Sequence, residues 1–522
     1  MLLILILGLL WFIRETKAFL FWLYLWQLKE YHIGRFIDHF RTYKGRSLLL
    51  NKVLILKLFL IPLFFSSFFV AEILLLIIYF LESAKFFYDL FLKRFKKPVL
   101  TVKTVFLIIV SVIFLISFLI AFLYRKDFLL SLLIFDILTP LIVSGMVLIF
   151  QPITVLLRNR IIQKAKRKRE GFKDLIVIGI TGSYGKTSVK EFLYEVLKEK
   201  YKVLKTEANQ NSEVGISQCI LDNLNDEHEI FIVEMGAYGR GGIKLLCDIA
   251  KPKIGVLTGI NEQHMSLFGS QDNITKTKFE LIESLPENGL AVLNADNEIV
   301  RNLEPKIENL QFCSTEEELG FWTKNIVIEK EFVHFRAFSK DGDSAQFKLN
   351  LLGRESIENI LLVSAVAKEL GMSLEEIAKI CEDFKQTDPK IVKGVNGVNI
   401  IDSTYSANPN GVFSHLNYLK LWPGKKIIIM PCLIELGSSS QEVHREIGKK
   451  IAETCDLAII TTKDKFKEIK EGAIEKGMKE EKILFLENSQ EIYERIKTFD
   501  EADDVVLLEN RVPGELIDLL IK

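Results

Sequence analysis

The stretch TVFLIIVSVIFLISFLIAFLY, Thr104 to Tyr124, contains no charged side chain. A helix needs about 20 apolar residues to cross the hydrocarbon core of a bilayer, and this run supplies them. It is not alone. FLLSLLIFDILTPLIVSGMVLIF, Phe128 to Phe150, meets the same requirement with one acid, Asp136. VLILKLFLIPLFFSSFFVAEILLLIIYFL, Val53 to Leu81, is longer than one crossing. Its Lys57, Pro62 and Glu72 fit either one kinked span or a re-entrant pair. Leu2 to Ile13 has the length of a signal-peptide core, but Arg14 is followed by another apolar stretch, FLFWLYLW, and no small-residue cleavage site appears. Residues 1–152 are therefore expected to form a transmembrane region of three to five helices. RNRIIQKAKRKR, Arg158 to Arg169, follows directly and makes 153–170 an expected basic linker. Positive-inside bias puts that linker and everything after it in the cytoplasm, with the chain multi-pass in the cell (plasma) membrane.

Beyond about Gly171 the composition is that of an ordinary globular protein, and 522 residues are enough for two or three domains. Basic and acidic residues balance at 67 each, so bulk charge argues for no nucleic-acid partner. The six cysteines are scattered without a C-x-x-C pair, which reads as reduced thiols of a cytosolic region rather than a zinc site or a disulfide framework.

One segment of the globular part carries chemistry. DLIVIGI, Asp174 to Ile180, suits a buried parallel strand; TGSYGKTS turns the chain; VKEFLYEVLKEK has helical spacing. Strand, glycine turn and helix are the setting of a phosphate-binding loop. Gly182 and Gly185 let the backbone N–H groups of Ser183, Tyr184 and Ser188 close around phosphate oxygens, Lys186 adds a point charge, and Thr187 suits Mg²⁺. The spacing departs from G-x-x-x-x-G-K-[ST], because Ile180 stands at the first position. Two further strands, EIFIVEMGAYG and KIGVLTGINEQHMSLFGS, end in Glu234 and in a loop with His264. Strand ends on one edge of an open parallel sheet collect ligands, so these two side chains are candidate metal ligands beside a triphosphate.

These segments resemble the Mur ligase family, the ATP-dependent amide ligases of cell-wall peptide synthesis. TGSYGKT fits that family's short phosphate loop, T-G-[ST]-x-G-K-[ST]. Within the family the resemblance is closest to the branch that adds D-alanyl-D-alanine to the muropeptide stem. TEANQNSEVGIS is similar to its N-x-N-N-x-x-G loop with Ser212 in place of an Asn, EMGAYG to its E-M-G-A stretch, and HMSLFGSQDNITKTK to its H-x-x-x-F-G-S with a later lysine. The resemblance implies Lys186 on the β- and γ-phosphates of ATP, Thr187 and Glu234 on Mg²⁺, and His264 beside a second metal. It implies Lys278 as a carbamylated lysine whose carbamate is a further metal ligand. LLGRESIENILL resembles the G-R-H-x-x-x-N helix, with Asn359 near adenine and Glu355 where His is usual. GVNIIDSTYSANPNG resembles the I-D-D-x-Y-N-A-N-P element, with Asp402 on ribose or phosphate and Ser403 and Ser406 replacing an Asp and an Asn. KKIIIMPCLIELGSSSQEVHREIG matches at Glu435, Leu436, Gly437 and His444, and DDVVLLENRVPG has Glu509, Asn510 and Arg511 where K-G-S is common. Substrate contacts then fall to Asn209, Asn211, Tyr405, Asn408, Glu435 and His444.

The implied architecture is an α-helical transmembrane region followed by α/β domains: a parallel-sheet, P-loop ATP-binding domain at 171–388, and a smaller Rossmann-like α/β domain at 389–522, hinged near Asp388–Pro389. The implied reaction activates a carboxylate of a cell-wall precursor as an acyl phosphate and joins it to an amino acid or to D-Ala-D-Ala. Ahead of the ATP domain no βαβ pattern or second glycine-rich turn is seen, so the membrane region stands where the family's UDP-binding domain is usual. The acceptor is then lipid-linked or of another kind, or the helices only anchor a usual ligase. A non-catalytic nucleotide-binding membrane scaffold is the alternative suggested by Glu355, Ser403 and Glu509. A transport ATPase is disfavoured by the lack of an L-S-G-G-Q signature.

Overall fold

The computed structural model describes residues 2–521 except 209, 386–388, 405–407 and 500–502. The chain divides into two compact units, Met1–Asn159 and Arg160–Lys522.

The first unit is helical: α1 Leu2–Leu28, α2 Ile33–His39, α3 Tyr43–Leu49, α4 Lys52–Ser66, α5 Phe68–Phe91, α6 Val102–Phe122 and the start of α7, Phe128–Glu170. Asn51 caps α4 by accepting from the Leu54 N–H, and Thr101 with Thr104 forms a capping box on α6. Trp11, Trp26, Tyr79, Leu115 and Leu132 are buried inside the bundle, while Phe59, Phe65, Leu141 and Ile149 are largely exposed. The bundle is thus apolar on its outer surface as well as in its interior. Among the described residues three stretches are long and apolar enough to span a membrane: Tyr43–Ser66, Val102–Phe122 and Phe128–Glu170. The Val53–Leu81 run resolves into a helical pair. Its break falls at Ser67, whereas Pro62 lies inside α4. Lys57 on α4 pairs with Glu82 on α5 at 2.5 Å and with Asp136 on α7 at 2.7 Å, and Asp136 also pairs with Arg14 on α1 at 2.5 Å. Arg14, Lys57 and Asp136, which stood isolated in the sequence, thus meet in one cluster.

Residues 153–170, expected as a linker, are instead the last turns of α7. Ile162 and Ala165 are buried in the second unit's core beside Val177 and Ile249. Arg169 donates to the carbonyls of Ala250 (2.9 Å), Phe172 (2.7 Å) and Leu175 (3.3 Å). The apolar spacing Ile162–Ala165 with Arg169 one turn later is a docking face, hidden by the basic residues around it.

The second unit holds two sheets. The larger contains β1 Ile176–Thr181, β2 Val203–Lys205, β3 Ile230–Glu234, β4 Ile254–Leu257, β5 Leu290–Asn294, β6 Asn309–Ser314, β7 Phe321–Ile328, β8 Val333–Ser339 and β9 Ser344–Leu349, in the order β2-β3-β1-β4-β5-β6-β7-β8-β9. Pairings from β2 to β7 are parallel; β7–β8 and β8–β9 are antiparallel, so the sheet is mixed rather than all parallel. The parallel strands are buried on both faces: Ile178 and Ile180 face one core, and Val177 the other. The smaller sheet contains β10 Lys390–Lys393, β11 Asn399–Ser403, β12 Lys426–Met430, β13 Leu457–Ile460, β14 Ile483–Phe485 and β15 Val505–Glu509, ordered β10-β11-β15-β12-β13-β14 with only β10 antiparallel.

Helices of this unit are α8 Lys186–Leu197, α9 Glu213–Asn223, α10 Gly242–Ala250, α11 Met265–Phe268, α12 Gln271–Glu283, α13 Glu298–Arg301, α14 Arg354–Glu369, α15 Leu374–Cys381, α16 Pro409–Leu419, α17 Ser440–Thr454, α18 Phe466–Glu475, α19 Ser489–Ile496 and α20 Gly514–Leu520. All six cysteines are buried and unpaired.

Candidate functional site

The strand order reverses around β1, which lies between β3 and β4, and the crevice at the carboxyl ends of such strands is where open α/β sheets bind ligands. The loop after β1 fills this position. Gly182 has φ +156°, and a Cβ there would lie 2.0 Å from Thr258 Oγ1; Gly185 has φ +75°, and a Cβ would lie 2.8 Å from Asn359 Oδ1. Both positions demand glycine. The Ser183 N–H donates to the Gly259 carbonyl at 2.7 Å, and Ser183 Oγ accepts from the Asn261 N–H at 3.1 Å. Tyr184 packs over Gly259 and its hydroxyl accepts from Asn297 at 3.2 Å. Lys186 Nζ folds over the loop and donates to the Gly182 carbonyl at 2.8 Å. Thr187 and Ser188 are exposed on the first turn of α8.

Glu234, at the end of β3, is 6 % exposed and held from both sides. Thr187 Oγ1 donates to its Oε2 and Asn211 Nδ2 to its Oε1, each at 3.0 Å. Burial alone would push the Glu234 carboxyl up. The Asn211 hydrogen bond, the Lys186 and Lys190 ammonium groups and Thr187 outweigh burial and hold it below its ordinary value. Lys278, on α12, is 4 % exposed. Burial first, and then the like charge of Lys186, bring it down to about 7, with Glu234 opposing. Burial likewise lowers Lys186, again opposed by Glu234.

Sequence reasoning missed Lys190. It is fully buried, its Nζ lies 3.4 Å from Glu234 Oε2 and 3.3 Å from Glu191 Oε1, and it makes no hydrogen bond among the described residues. Its spacing is the signal: four residues after Lys186 it shares that face of α8.

His264, whose φ is +64°, meets Glu435 on the smaller domain, with Nδ1 2.5 Å from Oε2. Burial lowers the imidazole, opposed by Glu435. Asn261 Nδ2 donates to Asn408 Oδ1 at 3.2 Å and to Asn410 Oδ1 at 2.8 Å, while Asn408 also caps α16 through the Gly411 N–H. Asn359 is 8 % exposed and lies against Gly185. Its neighbour Glu358 is raised to about 7, chiefly by burial and also by Asp296 and Glu355, while a hydrogen bond from Asn294 opposes.

Two expected contacts do not fit, or fit otherwise. His444 is fully buried, with Nε2 accepting from the Leu433 N–H at 2.9 Å and Nδ1 2.5 Å from the Ser440 carbonyl. It fastens the loop that carries Glu435 and has no ring nitrogen left for a substrate. Asp402 accepts from the Thr404 N–H (3.1 Å) and hydroxyl (2.7 Å), within its own loop. Asn209, Tyr405 and the expected hinge residue Asp388 lie outside the described residues.

Among the described residues no three His, Cys, Asp or Glu side chains form a metal cluster. The donor set suits Mg²⁺ nonetheless, since that ion commonly takes one or two carboxylates and completes its shell with phosphate and water. Glu234 and Thr187 supply a clamped carboxylate and a hydroxyl at the loop, and lysines hold the surrounding charge.

Residues 180–367 match the family model described as "Mur ligase middle domain", and residues 390–509 that described as "Mur ligase, glutamate ligase domain"; together they cover more than half of the chain. A UDP-N-acetylmuramoyl-tripeptide–D-alanyl-D-alanine ligase of Bacillus subtilis is 28 % identical over 341 residues, covering 63 % of this chain and 72 % of that one. Its Synechocystis counterpart is 30 % identical over 282 residues, and the chain spans only 59 % of that relative. The crystal structure of MurF ligase from Thermotoga maritima in complex with ADP aligns with TM-score 0.61 and 28 % identity, covering 69 % of this chain and 83 % of that one.

Proposed function

The chain belongs to the Mur ligase family of ATP-dependent, ADP-forming amide ligases, and on that premise we propose that it is a membrane-anchored ligase of cell-wall precursor synthesis. It joins a carboxylate to an amino acid or to a dipeptide such as D-Ala-D-Ala, with ATP and Mg²⁺ as the family requires. The supporting observation is the clamped Glu234: one carboxylate, two neutral donors and three lysines gathered where the glycine loop leaves β1.

A carboxylate is a poor acyl donor. In the proposed reaction the acceptor carboxylate attacks the γ-phosphorus, ADP leaves, and an acyl phosphate remains. The amine then attacks the acyl carbon, the tetrahedral intermediate expels phosphate, and the amide forms with loss of the amine proton. Lys186 and the loop amides neutralise charge on the transferring phosphoryl group. Thr187 and Glu234 would hold Mg²⁺, which supplies further neutralisation when bound. Lys278, with much of its amine uncharged near neutral pH, is suited to take up CO₂ as a carbamate. Asn359 is assigned to the base, and Asn211 and the Asn261–Asn408 contact to the substrate side of the cleft.

On this reading the enzyme is multi-pass in the plasma membrane with the ligase domains in the cytoplasm, a reading supported by three helices long and apolar enough to span. A second reading, favoured by the apolar outer surface of the first unit, is that the acceptor is lipid-linked rather than UDP-linked. Amine-dependent ADP release from full-length protein, with Lys186→Ala as control and mass spectrometry of the product, tests the proposal. No ADP with D-Ala-D-Ala or any single amino acid, on soluble or membrane acceptors, would leave the scaffold alternative.

A further inference from the structure

A second polar cluster joins the two α/β domains of the second unit. Glu355 stands in the first turn of α14, Ser414 and His415 on α16, and Glu509 at the end of β15. His415 Nδ1 lies 2.7 Å from Glu509 Oε2, His415 Nε2 lies 4.0 Å from Glu355 Oε1, and the Ser414 hydroxyl donates to Glu355 Oε2. The Glu509 side chain is fully buried, and its Oε1 makes no hydrogen bond among the described residues. Ser403, its register partner across β11–β15, is buried with its hydroxyl also unbonded.

His415 Nδ1 shares a hydrogen bond with the buried Glu509 carboxyl, and Glu355 on α14 accepts from Ser414 on α16, so a direct side-chain contact ties the smaller domain to the amino end of α14.

We propose that Glu355, His415 and Glu509 are positioning residues for the ligase reaction. Through them the smaller domain is held against the amino end of α14, which also carries Asn359, so that the amine-delivering face is set relative to the phosphate loop. The inference rests on the ligase reading for its purpose but not for its geometry.

Spin labels on the full-length protein in detergent test it. The native cysteines are all buried, and Lys276 and Lys467, with side chains 54 % and 84 % exposed, accept introduced cysteines on the two domains. The parent should show one compact distance. His415→Gln and Glu355→Gln should each deplete that population at least about threefold and lower kcat, while affinity for a non-hydrolysable ATP analogue changes less than about threefold. Glu355→Asp should restore most of the compact population. An unchanged distance in Glu355→Gln, whose partly exposed side chain leaves the fold intact, overturns the proposal. So does loss of nucleotide affinity at unchanged distance, which would assign the cluster to the nucleotide. The distance needs no turnover, so a depleted compact population without ADP formation under any condition sinks the ligase reading alone.

Discussion

Lys190 shows how much of the site depends on groups that never touch a phosphate. Glu234 has two ammonium neighbours, and removing Lys190 leaves Thr187 and Asn211 to hold the carboxylate with one fewer charge beside it. Supporting groups of this kind typically govern metal affinity or activity by 10–100-fold. Removing a positive charge beside the carboxylate lessens repulsion of an incoming cation, so Lys190→Met should lower the half-saturating Mg²⁺ concentration about tenfold in steady-state assays, with a smaller effect on the KM for ATP. A shift in KM for ATP alone would contradict the assignment. Lys278 makes a prediction with a sign. Its value near 7 lies below the ordinary 10.5, so the neutral amine dominates above pH 7 and the ammonium below. CO₂ reacts with the neutral amine only. Carbamate, read by ¹³C NMR with labelled bicarbonate, should grow from pH 6 to pH 8, and Lys278→Arg should abolish the signal.

At the scale of elements, the end of α7 behaves as part of the second unit's core. Ile162 is 5 % exposed, and truncating such a side chain costs about 2–4 kcal/mol. Ile162→Ala should accordingly lower the unfolding free energy of a fragment beginning at Arg160 by about 2–4 kcal/mol relative to the unsubstituted fragment; Ile161→Ala, half-buried, serves as the milder control. Equal denaturation midpoints for Ile162→Ala and its parent would contradict the docking. The sequence hid this helix because Arg158 to Arg169 is so basic that charge masks a two-residue apolar stripe. By contrast β1, β3 and β4 were legible, since strands buried on both faces read as continuous apolar runs. The antiparallel end of the sheet was not, because β7 to β9 bury one face and their alternation is carried by residues such as Thr323, Ala337 and Ala345 that no motif marks. Likewise Lys186 was legible from the glycine loop, Glu234 from its strand end and Lys278 from register with the family, whereas Lys190 was not. The pairing of Glu435 with His264 needed the two domains in place. His444 was misjudged because spacing cannot tell a buried loop fastener from a substrate contact.

For the whole molecule, the proposed membrane anchoring rests on a contrast between the surfaces of the two units. The first unit exposes Phe59, Phe65, Leu141 and Ile149 around a bundle whose interior already holds its own apolar core. In water such a surface aggregates; in lipid it costs nothing. The second unit covers its cores with helices on both faces of each sheet and needs no lipid. Cutting at Arg160, the boundary between the units, keeps Ile162, Ala165 and Arg169 with the core they complete, whereas a cut at Gly171 would strip them away. The fragment 160–522 should be soluble and monomeric without detergent and should retain nucleotide binding. The full chain should need detergent and resist alkaline extraction from membranes. The acceptor then follows from one comparison. If the helices only anchor, the fragment and the full chain should turn over a soluble UDP-linked muropeptide within about threefold of each other, since uniform binding contacts are untouched. If the acceptor is lipid-linked, the fragment should bind nucleotide normally yet lose activity by about a hundredfold on membrane extracts that the full chain converts, because the binding energy that places the carboxylate beside Lys186 then resides in the removed helices.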